Sequence, residues 1–490
     1  KMQTLGYARS LAMGEFYGDL HYEEKYLRAI SRVTSKDIIR VARKYLVKDR
    51  LNIAILKPLS RKRKELTKAD QIKNHKAKVE KIVLRNGLTL LLKEDKTLPL
   101  VSIYGLMNGG YRYENQRNQG VYNLLAETIL KGTASKSASK IAEIIDDTGG
   151  SINAGAGSNN FSLSGTFLKE NFRTGFQLYL DIISSAKFPQ NEIQKVKKVI
   201  LSEIRQRDDD IWRASRYHLR RVRFGGHPYS FDGLGTKQSI TSMNRFHLLK
   251  TYQNLFAPNN MVLAIYGDIN KREILNLISR ARGFNIRKGR LPKVQKVKPI
   301  VNTIKQTLYK NEKRQQSIVK IMFDGPGIYE KDRIPTMLLS YVFSGIGSRL
   351  FNDLRGKRTL AYSTGGFYEG RVDTGLFVFY IGTEPGKRDE AIKGIFEHID
   401  KVKSELITET ELNIAKNSAI GTIIKQIQTL RGQAALSARY YKLGLGHNHH
   451  LKLIDSIKKV TRQDIMRVAK KYFDTNRYVL SVVESKKAKP

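Results

Sequence analysis

The chain has 490 residues, 40% of them apolar, which is enough for roughly two to four domains with cores of their own. It contains no cysteine, so disulfides and thiolate metal sites are excluded, and no apolar run approaches the roughly 18 residues that cross a bilayer. The formal net charge is +43, but the basic residues occur throughout the chain with no RNA or DNA motif beside them, so the charge reads as solvated faces with no nucleic-acid partner.

The first organised segment, Val33 to Tyr45, reads VTSKDIIRVARKY. Most of its positions recur in register in VTRQDIMRVAKKY, Val460 to Tyr472, and more faintly in ITSMNRFHLLKTY, Ile240 to Tyr252. In each copy a threonine (Thr34, Thr461, Thr241) stands where a helix N-cap belongs, with apolar residues at helical spacing behind it. A strand follows each helix, at Leu51–Ile55, Met261–Ile265 and Tyr478–Val482. One helix–strand unit thus closes three domains. Residues 1–58 read as the tail of a preceding domain, 59–78 as a basic linker, 79–286 as a full domain, 287–299 as a second linker and 300–490 as another full domain.

Within 79–286 the order begins with a hairpin, Lys81–Leu84 and Leu88–Leu92 about Arg85-Asn86-Gly87. A strand over Val101–Met107, helices over Gly120–Leu130 and Ser137–Thr148 and a strand over Ile152–Phe167 come next. Long helices over Lys169–Ala186 and Asn191–Arg207 follow, and residues 300–485 repeat the order loosely. The class is α+β.

Gly120 to Thr133, GVYNLLAETILKGT, resembles the zinc helix of the pitrilysin or insulinase-like (M16) metallopeptidases, whose pattern is H-x-x-E-H between a glycine and Lys-Gly-Thr. Two imidazoles at i and i+4 on one helical face bind Zn²⁺, and the glutamate between them activates water. Here Asn123 and Glu127 stand at the histidines and Ala126 at the glutamate. Glu203 matches the distal glutamate ligand. An amide and one or two carboxylates make no tight zinc site. His227-Pro228-Tyr229 with Leu234-Gly235-Thr236, and Pro258-Asn259-Asn260 with Gly267-Asp268, resemble further family segments in the correct order.

Gly347 to Ser363 carries the other family signal, SRLF, then LR, then LAYS. The resemblance implies that Arg355 and Tyr362, seven residues apart, hold a substrate backbone and donate to an oxyanion across the cleft. It implies tandem M16-like domains, each an antiparallel-rich sheet with helices packed on one face. It further implies a peptide or unfolded protein as substrate, added to a sheet edge at Asn153, Ala154 and Gly155. No metal or cofactor is expected in this chain, and zinc is expected on a partner half bearing H-x-x-E-H. Tandem family members imply a bacterial periplasm or cell-envelope location. The alternatives are a structural or peptide-binding scaffold like the core subunits of the respiratory bc1 complex, and the recognition subunit of a mitochondrial processing peptidase. The short Ser344-Gly345-Ile346-Gly347 loop speaks against the latter. His447, His449 and His450 read as a chance cluster in a loop, and Gly109-Gly110 and Gly149-Gly150 as turns.

Overall fold

The computed structural model describes residues 4–47, 78–281, 294, 296–310 and 316–485. They divide into two compact units, 1–75 and 76–490. The predicted strand Leu51–Ile55, nearly all of the 59–78 linker and most of 287–299 lie outside the described residues.

In the first unit three helices follow one another, Thr4–Phe16, Tyr22–Ile30 and Ser35–Tyr45. The third opens on a reciprocal cap: Thr34 Oγ1 accepts from the Asp37 amide, and Asp37 accepts from the Thr34 amide at 3.0 Å. Its repeat in the second unit, Arg462–Tyr472, has the same box between Thr461 and Asp464. The middle copy departs from the expected cap. Thr241 lies inside a short helix, Lys237–Ser242, and the long helix Arg245–Leu255 starts at Asn244, whose side chain caps the His247 amide. Met243 is extended (ψ 146°), so the chain breaks between the two helices and Asn244 takes over the capping.

The second unit holds two sheets. The first has strands β1 (Glu80–Val83), β2 (Thr89–Glu94), β3 (Leu100–Asn108), β4 (Ser151–Ala156), β5 (Asn160–Leu168) and β6 (Met261–Gly267), in the order β1-β2-β6-β3-β5-β4. The second has β7 (Ile304–Lys310), β8 (Ser317–Gly325), β9 (Ser363–Gly370), β10 (Gly375–Thr383) and β11 (Val479–Ser485), in the order β7-β11-β8-β10-β9. Leaving out β1, the two sheets share one topology. The first strand runs parallel to the last (β2 with β6, β7 with β11), and every other pairing is antiparallel. The loose repeat in the sequence is thus a repeat of strand order.

Local chemistry accounts for the turns. Gly87 sits at φ +89°, Gly87 N donates to Leu84 O, and Asn86 Oδ1 accepts from Leu88 N, which closes the β1–β2 hairpin. The strand expected over Ile152–Phe167 is instead the β4–β5 hairpin, because the Gly157-Ser158-Asn159 turn reverses the chain, with Gly157 N donating to Asn160 O. The helix expected over Asn191–Arg207 runs Gln190–Asp209, and Asp210 then caps a further helix, Ile211–Phe224.

Each sheet buries one face under helices of its own half of the unit, which lie in the chain between its strands, and its opposite face takes one helix from the other half. Ala434 and Ala438 of the Leu430–Lys442 helix pack on Leu91, Leu106, Val262 and Ala264 of the first sheet. Leu219 of the Ile211–Phe224 helix packs on Met322, Leu376 and Val378 of the second. These helices hold equivalent places in the topology, so the exchange is reciprocal.

Candidate functional site

The helix matching the zinc motif spans Val121–Thr128 and buries Val121, Leu124, Leu125 and Ala126. Its start is fixed by two glycines. Gly120 at φ +88° would place a Cβ 2.7 Å from Leu234 O, and Gly235 at φ +80° would place one 2.4 Å from Gln119 O. The Leu234-Gly235-Thr236 segment therefore grips the mouth of this helix, and neither glycine tolerates a side chain. Glu114 completes the cap. Its two carboxylate oxygens accept from Gly120 N (2.8 Å) and Tyr122 N (3.2 Å). Full burial outweighs these bonds and pushes the carboxyl up to about 8.

Asn123 is half-buried, Ala126 is buried and Glu127 is exposed on this helix. Glu203, half-buried, lies on the Gln190–Asp209 helix, which packs against it, as does β4 with Asn153, Ala154 and Gly155. The four positions of the degenerate motif and the candidate peptide strand are therefore carried by adjoining elements. The side chains of Asn123, Glu127 and Glu203 make no hydrogen bond or ion pair with a described residue. The donor set does not fit zinc: an amide, a methyl group and two carboxylates supply neither the imidazoles nor the base. Among the described residues no group of three His, Asp or Glu side chains gathers at metal-holding distance.

β4 is the terminal strand of its sheet, and Asn153 is exposed along it. Its equivalent in the second sheet is β9, also terminal, and Arg355 and Tyr362 lie just ahead of it. Arg355 belongs to a π-helical turn, Phe351–Lys357, and its guanidinium sits 4.8 Å from the Phe351 ring centre. Buried Leu354 and Leu360 anchor the turn through Leu360 N to Leu354 O, at 2.7 Å. Asp353 receives Arg358 and the imidazole of His398, 2.8 Å from its Oδ2, and these partners hold its carboxyl below the usual range against the opposing effect of burial. Thr359 adopts φ +50°, a strained value for a β-branched residue. Tyr362 N donates to Gly382 O at 3.0 Å, while its ring is 60% exposed. Neither the Tyr362 hydroxyl nor the Arg355 guanidinium has a hydrogen-bond partner among the described residues. The backbone is held and two donor groups are left free.

Other motifs turn out to be structural. Tyr229 is fully buried, its hydroxyl 2.7 Å from Asn159 Oδ1 and 3.1 Å from Asp373 Oδ2. Asn260 ties β3 to the Leu255 carbonyl through Asn108. The His447–His450 segment is not wholly a loop. Gly444 and Gly446, both at positive φ, turn the chain, and a helix starts at His449, whose Nε2 lies 3.1 Å from Arg333 Nη2. Glu114 and Lys320, which are buried, and Asp373, which is nearly so, are ionisable groups around these elements that sequence reasoning did not single out. Only the Glu114 position, six residues before Gly120, carried a local signal, that of an acid ahead of a helix start.

Residues 89–230 match the family model for insulinase (peptidase family M16), and residues 242–419 match that for the peptidase M16 inactive domain. The chain belongs to the M16, insulinase-like peptidase family. An uncharacterized zinc protease, YmxG, of Bacillus subtilis is 24% identical over 83% of this chain and 98% of its own length. The Helicobacter pylori protein named non-peptidase homolog YmxG is 22% identical over 81% and 92%. Among solved structures, a protease from Helicobacter pylori superposes with TM-score 0.77 at 21% identity, covering 84% of this chain and all of its own. A peptidase M16 inactive domain from Pseudomonas fluorescens does so with TM-score 0.76 at 17% identity over the same shares. These two establish the fold.

Proposed function

We propose that this chain is the non-catalytic half of an M16 peptidase. On this reading it walls one side of a substrate chamber and lends Arg355 and Tyr362 to an active site whose zinc sits on a partner half. The observation that carries the proposal is the pairing of a zinc helix without imidazoles with an Arg/Tyr pair whose donor groups stand unpartnered on a pinned turn. Substrate is an extended or unfolded peptide, added along the edge strand β4 at Asn153, Ala154 and Gly155. An exposed edge supplies backbone donors and acceptors independent of sequence, which suits a broad substrate class.

The test is reconstitution. The chain alone should not cleave an unfolded peptide, and mixing it with a zinc-bearing M16 half should produce chelator-sensitive cleavage. A mixture that forms a complex but stays inactive would overturn the proposal. It would favour the second reading, a peptide-binding scaffold, which the name of the Helicobacter pylori relative, non-peptidase homolog, supports.

A further inference from the structure

The Ile211–Phe224 helix and the second sheet do not close completely on each other. Between them lies a cavity of about 370 Å³. One part of its wall is apolar, with Trp212, Met322, Phe367 and Val378. The other part is cationic, with Arg216 and Arg220 one turn apart on the helix, Lys320 on β8 and Arg371 after β9.

Lys320 is the anomaly. It is 7% exposed, and its ammonium makes no hydrogen bond or ion pair with a described residue. Every other buried cation among the described residues has an acceptor. Lys93 reaches Gln433 Oε1 at 2.8 Å, Lys197 the Thr241 carbonyl at 2.9 Å, Arg223 Asp324 at 2.6 Å, and Arg207 Asp208 at 2.9 Å. The groups around Lys320 are already committed. Glu369, the one carboxylate among the described residues lining the cavity, is held by Arg371 at 2.9 Å and 3.1 Å. Ser481, opposite Lys320 on β11, has its Oγ 2.8 Å from His218 Nδ1. The Tyr380 ring, opposite on β10, meets Trp212 in a T-shaped contact with the ring centres 6.0 Å apart. Arg371 in turn keeps a buried Nη1 without an acceptor. Burial, with Arg216 and Arg220 nearby, pulls the Lys320 ammonium down to about 7. An ammonium in this cavity wall is desolvated with no protein acceptor to offset the cost, and an anionic ligand would supply one.

We propose that this cavity is a binding site for an anion carried on an apolar body: a carboxylate seated between Lys320, Arg216 and Arg220, with its ring or chain against Trp212, Phe367 and Val378. The volume suits a single small molecule or one peptide residue. A bare inorganic anion would leave the aromatic wall uncovered. The same chemistry has two sources, a free aromatic acid or the C-terminal residue of a peptide ending in a large apolar side chain. The site lies within this chain and does not depend on a partner half or on zinc.

Calorimetric titration of the full chain decides it, with three probes: 2-naphthoate, a short peptide ending in phenylalanine as the free acid, and the same peptide as its C-terminal amide. At least one acid should bind, and the amide should bind at least about tenfold more weakly than the peptide acid if the terminus is the source. Binding of 2-naphthoate alone identifies a free acid as the source. Lys320→Met keeps the length of the side chain and suits the apolar wall, and it should weaken acid binding by about tenfold or more. Arg216→Gln, at an exposed helix position, provides a folded variant should Lys320→Met fail to fold, and it too should weaken binding. Absence of binding by both acids, or undiminished affinity in the folded variants, would overturn the proposal.

Discussion

Arg112 and Asp373 face each other 261 positions apart, with Arg112 Nη2 2.7 Å from Asp373 Oδ1 and Arg112 Nε bonded to Oδ2. Arg112 follows β3 of the first sheet, and Asp373 lies in the β9–β10 turn of the second. Their side chains are 13% and 12% exposed, and Tyr229 reaches the same carboxylate. This fork joins the two sheets at a point fixed by no local signal.

Removing the acid should therefore cost more than a surface pair would. Asp373→Ala leaves the largely buried Arg112 guanidinium without its acceptor and Tyr229 with Asn159 alone, and we expect a loss of about 2–3 kcal/mol in urea unfolding. Lys140→Ala, which breaks the solvent-exposed Lys140–Glu143 pair, should leave the urea midpoint nearly unchanged.

Arg355 and Tyr362 should behave in the opposite way. Both are exposed, so Tyr362→Phe and Arg355→Ala should change stability by no more than about 0.5 kcal/mol. In the complex with a zinc-bearing half, Tyr362→Phe should lower kcat on the order of 10²-fold with KM nearly constant, the mark of a donor used in the transition state. Full activity in both variants would make the pair structural.

The zinc helix can be tested by restoration. Extensively dialysed wild-type chain should hold no stoichiometric zinc, whereas N123H/A126E/E127H, with Glu203 in place, should bind about one equivalent. Metal analysis reads both. Stoichiometric zinc in the wild type that disappears in Glu127→Gln or Glu203→Gln would show that the present donors suffice.

Glu114 predicts a pH dependence. Burial pushes its carboxyl up to about 8 from the ordinary 4.5, so between those values the folded state holds more protons than the unfolded one. This group's contribution to stability is fully present below 4.5 and is lost as pH rises toward 8. Urea midpoints measured across that window should fall with pH less steeply in Glu114→Gln than in the wild type. Equal slopes would mean that the carboxyl ionises normally in the fold.

The repeated helix separates sequence from context. Ile465 and Val468 are buried, at 0% and 1% exposure, whereas Ile38 and Val41, at the same places in the repeat, are 62% and 44% exposed. Ile465→Ala should cost about 2–5 kcal/mol, and Ile38→Ala in the same chain under about 0.5 kcal/mol. Equal costs would mean that residues 35–45 bury the same face.

Much of the candidate site could be read from the chain itself, because its signals span a few residues. Asn123, Ala126 and Glu127 occupy one helical turn. Arg355 and Tyr362 share a short segment. Thr34, Thr461 and the Asn86-Gly87 step set caps and a turn through their own side chains and backbone angles. The misread elements failed for equally local reasons. The Gly157–Asn159 turn reads as strand in the sequence because apolar residues alternate on both sides of it. The middle repeat was capped at Thr241 because the break at Met243 has no strong residue signature.

The sequence alone determined the family motifs, the loss of imidazoles and the repeated helix–strand unit, since each depends on residue identity over short spacings. Tertiary structure alone decided that the two sheets share a strand order and trade helices. It also decided that Asp373 meets Arg112, and that Lys320 lies buried without an acceptor beside Arg216 and Arg220. Those relations depend on strand register and on which helix covers which face. Burial then sets the electrostatic consequence: the same lysine on a solvated face would be one more surface charge among 88 basic residues.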